Sequence, residues 1–420
     1  MSDDKQILLK WIEEDRDRLV TFFSDFIRAK SPNPPGDTVH AAETAEKVLK
    51  QEGLDYERIA PQANMPNIIA SFGGEAGDGK HLVLNGHIDV FPASGDKTPE
   101  GRDAFSGDVE DGWVYGRGAS DMKAGTTASL FTYIYLNRLR DRLKGRLSLT
   151  MVSDEETLGP WGAQYLLENH PDAPGDCCLN GEPSSAQTIL FSERGFLWLE
   201  FTVKTDGAHG SFGHTPYKNA VKLSTKIFEE LEELTNLQVE VPAEIADGVQ
   251  ESKAILTQFS GEDAAERIGK VQLSIGRIEG GTKVNMMPSK CVFEADFRIP
   301  LGLTKAELLA KVHEIVEKYP QLSVKEINGA DPSWSDPNDE MIDIIRSNVR
   351  ELRGFEPARM VSLGATDCRL WRFRDIPAFC YGPSPSTMAT VDEKLEIEDF
   401  LHTVRSHVLS AYDYLTADRS

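Results

Sequence analysis

His81-Leu82-Val83-Leu84-Asn85-Gly86-His87-Ile88-Asp89 is the stretch from which the rest of the chain can be read. Leu82 to Leu84 form a short apolar run of the kind that fills a buried strand. Asn85 and Gly86 close it, and His87 and Asp89 follow two residues apart. Alternate side chains of an extended chain point the same way. An imidazole and a carboxylate therefore stand together at the carboxyl end of a core strand, where open α/β sheets bind their ligands. Taken alone, the pair also fits an ordinary hydrogen-bonded histidine at a strand end.

The segments on either side alternate between strand and helix. Asn67 to Phe72, Arg146 to Val152 and Asp176 to Leu179 read as strands, and Ala124 to Leu139 and Trp161 to Glu168 as helices. This alternation argues for a mainly parallel sheet flanked by helices, an α/β fold. Residues 5–30 carry apolar residues on a helical repeat and read as one amphipathic helix, with a second over 39–53. From Arg194 the order changes to β-α-β-β-α-β: strands Phe196 to Thr205, Val271 to Ile278, Cys291 to Arg298 and Leu322 to Ile327, with helices Asn219 to Leu234 and Lys305 to Lys318. That is the ferredoxin-like split unit, an α+β domain inserted into the first. The expected division is 1–193 and 331–420 for the first domain and 194–330 for the insert. Residues 237–268 are acidic and weakly periodic and read as a surface excursion.

Composition narrows the function. The chain has 420 residues, with 45 Lys+Arg against 68 Asp+Glu and a formal charge of −23. A nucleic-acid binder needs a basic face, so that partner is not expected. No apolar run approaches the ~18 residues of a membrane span. The opening Met-Ser-Asp-Asp-Lys-Gln has neither the basic nor the apolar region of a signal peptide. Five scattered cysteines suit reduced thiols in a cytoplasmic protein, not a disulfide framework.

Three further segments place acids at element ends. Gly116-Arg117-Gly118-Ala119-Ser120-Asp121 puts Asp121 just before a helix, where it could simply cap it. Asp154-Glu155-Glu156 follows the strand ending at Val152, and adjacent carboxylates there repel unless a cation lies near. Asn180-Gly181-Glu182-Pro183 adds another acid. Four successive motifs carrying His, Asp or Glu make a site for a divalent transition ion such as zinc, manganese or cobalt.

His87-x-Asp89, Gly-Arg-Gly-Ala-Ser-Asp121, Asp154-Glu155-Glu156 and Gly181-Glu182-Pro183, in this order, resemble the M20 metallopeptidase family. That family holds carboxypeptidase G2-like enzymes, aminoacylases, acetylornithine deacetylase and succinyl-diaminopimelate desuccinylase. The resemblance implies a metal-dependent catalytic domain with an inserted lid, often a dimerisation domain. It makes His87, Asp121 and Glu182 the ligands of a first metal, with Asp121 bridging to a second that Glu156 also holds. It makes Glu155 the general base and Asp89 the carboxylate that orients His87. In Gly207-Ala208-His209-Gly210 it implies that His209 reaches a neighbouring subunit's active site and stabilises the oxyanion, with His214 a nearby competitor. Asn285 and Arg298 match lid residues that contact substrate, the guanidinium suiting a carboxylate. Gly364 and Thr366 match a glycine-rich substrate loop.

One position departs from the family pattern. Counting from Gly382-Pro383, Ala389 falls where the last ligand of the second metal, a His, is expected. Alanine cannot bind metal, so one tightly bound ion per chain is expected. The expected activity is hydrolysis of a C–N bond, the amide of an N-acyl amino acid or small peptide. Two alternatives are an aminohydrolase acting on a non-peptide C–N bond, such as the aryl amine of 5-nitroanthranilate, and a non-catalytic member of the family. The expected partners are a small substrate with a carboxylate and a second copy of the chain in a two-fold homo-oligomer.

Overall fold

The computed structural model describes residues 2–95, 97–212, 216–260 and 262–418. The chain forms two compact units. The first comprises 1–191, 335–359 and 366–420, and the second 192–334 and 360–365.

In the first unit the neighbour order of the sheet is Glu57–Gln62, Met65–Gly73, Arg146–Val152, His81–His87, Cys177–Asn180, Ala378–Cys380 and Thr188–Glu193. The three central pairings are parallel: His81–His87 lies between Arg146–Val152 and Cys177–Asn180, and the latter pairs with Ala378–Cys380. Antiparallel pairings flank them on both sides, so the sheet is mixed. The apolar run Leu82–Leu84 is fully buried, as a strand covered on both faces requires. Helix Ala124–Arg138 is buried over almost its whole length, and Ile397–Thr416 packs against it.

The single helix expected over 5–30 is two helices, Asp3–Glu14 and Arg16–Arg28, parted at Asp15. Asp15 leaves the helical region, at φ −90° and ψ 8°, and its carboxylate accepts a hydrogen bond from Tyr135 Oη at 3.0 Å. The break redirects the apolar face so that Leu19, Phe22, Phe23, Phe26 and Ile27 are buried from the second helix.

The second unit has four antiparallel strands in the order Gln272–Gly280, Lys290–Ile299, Gly195–Lys204, Leu322–Ala330. Helices Ala220–Glu232 and Lys305–Val316 supply Leu223, Ile227, Leu231, Leu308 and Val312 to its core. This is the split β-α-β-β-α-β arrangement. Two differences from the sequence reading stand out. The stretch taken as a surface excursion contains helix Ala246–Ser260, with Val249 and Leu256 buried. Residues 360–365 also group with this unit, not with the 331–420 return, because Val361 N donates to Ser252 Oγ at 2.9 Å and Arg194 N to Ser362 O at 3.2 Å.

Candidate metal centre

The last residue of the central strand is His87, now 1% exposed. Its Nδ1 lies 2.8 Å from the main-chain oxygen of Asp89 and 3.6 Å from the Asp89 carboxylate. A carbonyl oxygen only accepts, so Nδ1 carries the proton and Nε2 is turned toward the acids. Nε2 is 3.1 Å from Asp121 Oδ1, 3.6 Å from Glu182 Oε2 and 3.8 Å from Glu155 Oε2.

Each acid is delivered by its own local device. The Asp121 turn hangs on Glu393, whose Oε1 accepts from the N–H of Ser120 at 2.9 Å and of Asp121 at 3.3 Å. Arg117 Nη1 donates to the other oxygen of Glu393 at 2.5 Å. Glu182 is placed by close backbone contact: a Cβ on Gly125 would meet Gly181 O at 2.0 Å, so only glycine lets the helix start and the Asn180-Gly181-Glu182 turn approach. Asn180 Oδ1 accepts from Glu182 N at 2.6 Å and sets that turn.

The three adjacent acids after Val152 have separate tasks. Asp154 is structural: its carboxylate accepts from Thr157 Oγ1 at 2.6 Å, Trp161 N at 3.2 Å and Asn33 Nδ2 at 3.2 Å. Glu155 and Glu156 present their main-chain N–H groups to Asp89, at 3.4 and 3.2 Å, and Asn33 Nδ2 donates to the same carboxylate at 2.9 Å. The Asp89 carboxylate thus organises the Glu155-Glu156 turn, while its main-chain oxygen makes the shorter contact to His87.

Ligand atoms of His87, Asp121 and Glu156 lie within 4.8 Å of one another, the one such group among the described residues. The compact trio therefore contains Glu156, where the sequence reading joined Glu182 to His87 and Asp121. The Oε1 atoms of Glu155 and Glu156 are buried and have no hydrogen-bond partner. Burial raises Glu155 to about 8, and it holds Glu156 and Glu182 well above the usual carboxylate range, with Asp121 adding repulsion to both. Burial opposes the His87 cation, but the Asp121 hydrogen bond and the charges of Glu182, Glu155 and Asp121 outweigh it and raise that group. A set of buried acids that resist ionisation, with one imidazole and two orphaned oxygens, fits a divalent cation.

Asp367 follows Thr366 directly and is not among the site residues expected from the sequence. It is buried, accepts from Asn85 Nδ2 at 3.2 Å, and burial raises it to about 6. Its signal was Asn85, two residues before His87 and so on the same face of the strand. Thr366 is 3% exposed, and its Oγ1 accepts from Cys368 N at 3.2 Å; Gly364 is exposed.

In the second unit, His209 and Asn285 are neighbours. Ala208–His209 pairs with Met286–Met287, and Gly210 N donates to Asn285 O at 2.8 Å. His209 is exposed, with Nδ1 2.8 Å from Ser211 Oγ. Arg298 is paired with Asp296 on its own strand, through Nε at 3.0 Å and Nη2 at 2.9 Å. His214 lies outside the described residues.

The fold and this donor set define an α/β metallohydrolase. The chain belongs to peptidase family M20/M25/M40, whose model matches residues 83–412. It is 26% identical over 394 residues to a succinyl-diaminopimelate desuccinylase of Cereibacter sphaeroides, covering 90% of this chain and 94% of that one. It is 28% identical over 351 residues to the enzyme of the same name from Nitrosomonas eutropha, covering 81% and 85%. Among solved structures it is similar to an M20 family metallo-carboxypeptidase from Sulfolobus solfataricus, with TM-score 0.78, 17% identity and coverage of 95% and 99%. Human carnosine dipeptidase 1 is similar with TM-score 0.73, 16% identity and coverage of 98% and 99%. No helix among the described residues is long and apolar enough to cross a membrane.

Proposed function

We propose that this metallohydrolase cleaves the amide C–N bond of an N-acyl amino acid or small peptide, with Glu155 as general base beside a single divalent transition ion. The observation that carries the reading is the Glu155 carboxyl: buried, raised to about 8 by burial, with Oε1 unpartnered and Oε2 3.8 Å from His87 Nε2. His87, Asp121, Glu156 and Glu182 are the residues that would hold the ion. Once bound, it supplies a water of lowered pKa and a polarised carbonyl. Glu155 takes a proton at its free oxygen and returns it to the leaving amine. Asp89 keeps Glu155 and Glu156 in register through their N–H groups.

His209, Asn285, Arg298, Gly364 and Thr366 are the proposed substrate contacts on the strength of their motifs. The Arg298 guanidinium would have to exchange Asp296 for a substrate carboxylate. Exposure supports Gly364, whereas the Thr366 hydroxyl is turned inward to Cys368. A two-fold dimer formed through the second unit is supported by exposed Phe212, Tyr217, Ile278, Val284 and Met286. Five free, buried cysteines support a reducing, cytoplasmic setting.

A panel of N-succinyl and N-acetyl amino acids and dipeptides, assayed for released amino acid, tests the reading. The names of the curated relatives put N-succinyl compounds first. No turnover of any panel member by metal-loaded protein would overturn it. Ala389 favours a second reading, a single-ion aminohydrolase of an aryl amine; release of ammonia from 5-nitroanthranilate, with the panel untouched, would establish that instead.

A further inference from the structure

Ser31-Pro32-Asn33-Pro34-Pro35-Gly36-Asp37 follows helix Arg16–Arg28 and runs alongside the segment just past His87, with Pro32 bridged to Val90. Its backbone is fastened there. Val90 N donates to Ser31 O at 3.0 Å, Asn33 N donates to Val90 O at 2.9 Å, and Ser31 Oγ donates to Ile88 O at 2.6 Å. Just before it, the buried Lys123 ammonium, two residues past Asp121, donates to Phe26 O at 2.8 Å and Ala29 O at 2.6 Å. So the loop has a fixed place, from which Asn33 carries its amide to two acids. Asn33 is 3% exposed, and its Nδ2 donates to Asp89 Oδ2 at 2.9 Å and to Asp154 Oδ1 at 3.2 Å. The amide nitrogen has two N–H groups, one for each acid, whereas the amide oxygen only accepts, so the nitrogen is the end that faces them.

We propose that Asn33 is the positioning residue of the Glu155 general base, acting through Asp89 and Asp154. The role rests on the reading of Glu155 as base. Both acids control the turn that carries it. Asp89 accepts from the N–H groups of Glu155 and Glu156. Asp154 directly precedes Glu155 and sits at φ 72°, a left-handed conformation that persists in a residue with a side chain only where its surroundings hold it. Two buried carboxylates that share one nitrogen repel each other. The Asn33 amide bonds both and adds no charge beside the metal ligands. Gly36 leaves the other end of the amide room: a Cβ there would meet Asn33 Oδ1 at 2.9 Å.

Asn33→Leu, which keeps the size and removes the donor, tests this in two ways. For the N-succinyl amino acids of the panel it should lower kcat per bound ion by about 10- to 100-fold, the usual effect of losing a partner behind a site residue, with KM unchanged. In a Glu155→Gln chain the same change should lower kcat little further, because a base that is absent cannot be misplaced and residues acting as a unit are not additive. Crystals of metal-free Asn33→Leu, which need no activity, should show the Glu155 carboxylate moved from its 3.8 Å approach to His87 Nε2. Asn33→Ala leaves room for water to bond both acids, so it should fold as the unaltered chain does and show the same effects in smaller measure. A full loss repeated in the Glu155→Gln chain, or a Glu155 carboxylate that stays in place in both variants, overturns the role of Asn33. Near-normal turnover of the Glu155→Gln chain instead overturns the reading of Glu155 as base, and the crystals then decide separately whether Asn33 holds that side chain.

Discussion

His87 Nδ1 lies 2.8 Å from the main-chain oxygen of Asp89, nearer than the 3.6 Å to the carboxylate of the same residue. One residue thus does two jobs: its carbonyl sets the imidazole tautomer, and its carboxylate gathers Asn33 and the N–H groups of Glu155 and Glu156. Asp89→Asn keeps the carbonyl but loses the charge. It is expected to retain metal and to lose about 10- to 100-fold in activity, the usual cost of disturbing a group behind a metal ligand. Metal content and kcat measured on the same sample check this; loss of metal without change in kcat per bound ion would show that the carboxylate, not the carbonyl, holds His87.

Glu155→Gln should keep the ion and lower turnover by on the order of 10²-fold or more, the effect of removing a general base. Glu156→Gln should act on metal affinity, since Glu156 belongs to the compact trio with His87 and Asp121. Equilibrium dialysis and single-turnover rates for both variants separate the roles. Near-normal turnover in Glu155→Gln beside a dead, metal-replete Glu156→Gln would exchange them.

One transition ion per chain is expected by elemental analysis, because Ala389 offers no ligand. Ala389→His should raise occupancy of a second ion. The residue sits at φ 59°, a left-handed conformation that histidine tolerates better than most side chains. Two tight ions in the unaltered chain would refute the single-ion reading.

Acid should destabilise the first unit through two buried histidines. Burial lowers His402 to about 3 and His407 to about 4, from an ordinary value of 6.5. Both are neutral when folded and take up a proton on unfolding below pH 6.5, so their stabilising contribution is complete above that pH and is lost as pH falls toward 4. At pH 5 the loss comes to about 2 kcal/mol for each. His407 Nε2 is 2.6 Å from Tyr381 O and its Nδ1 has no partner to receive a second charge. Denaturant melts of His402→Gln at pH 7 and 5 should show a smaller pH slope than the unaltered chain; an unchanged slope would assign the acid sensitivity elsewhere.

A two-fold dimer is expected in sedimentation. If His209 acts across that interface, a His209→Ala chain and a Glu155→Gln chain, each nearly inactive, should regain partial activity when mixed and re-assembled. In such a heterodimer one site has both an intact base and an intact His209. A monomer, or mixtures with no recovery, would confine His209 to its own chain.

By itself the sequence determined what is written in local chemistry. The run Leu82–Leu84 ending in His87-x-Asp89 read as a buried strand with its polar residues at the carboxyl end, because the length of an apolar run and the residues that close it are properties of the chain alone. The β-α-β-β-α-β order of the second unit was legible for the same reason. The break at Asp15 was not, since the apolar repeat runs through it and the contacts of its carboxylate with Tyr135, Arg18 and Arg138 mark the site only in the folded chain. Nor was the helix over Ala246–Ser260, whose weak pattern gains meaning from what it buries. Long-range contacts decided the rest. Asp154, Glu155 and Glu156 are equivalent in sequence, but Asp89, Asn33 and Trp161 divide them into a structural acid and two whose Oε1 atoms have no hydrogen-bond partner. Asp367 joins the site from 282 residues away through Asn85. Burial, which no spacing specifies, turned these acids from surface charges into groups that resist ionisation and so call for a cation.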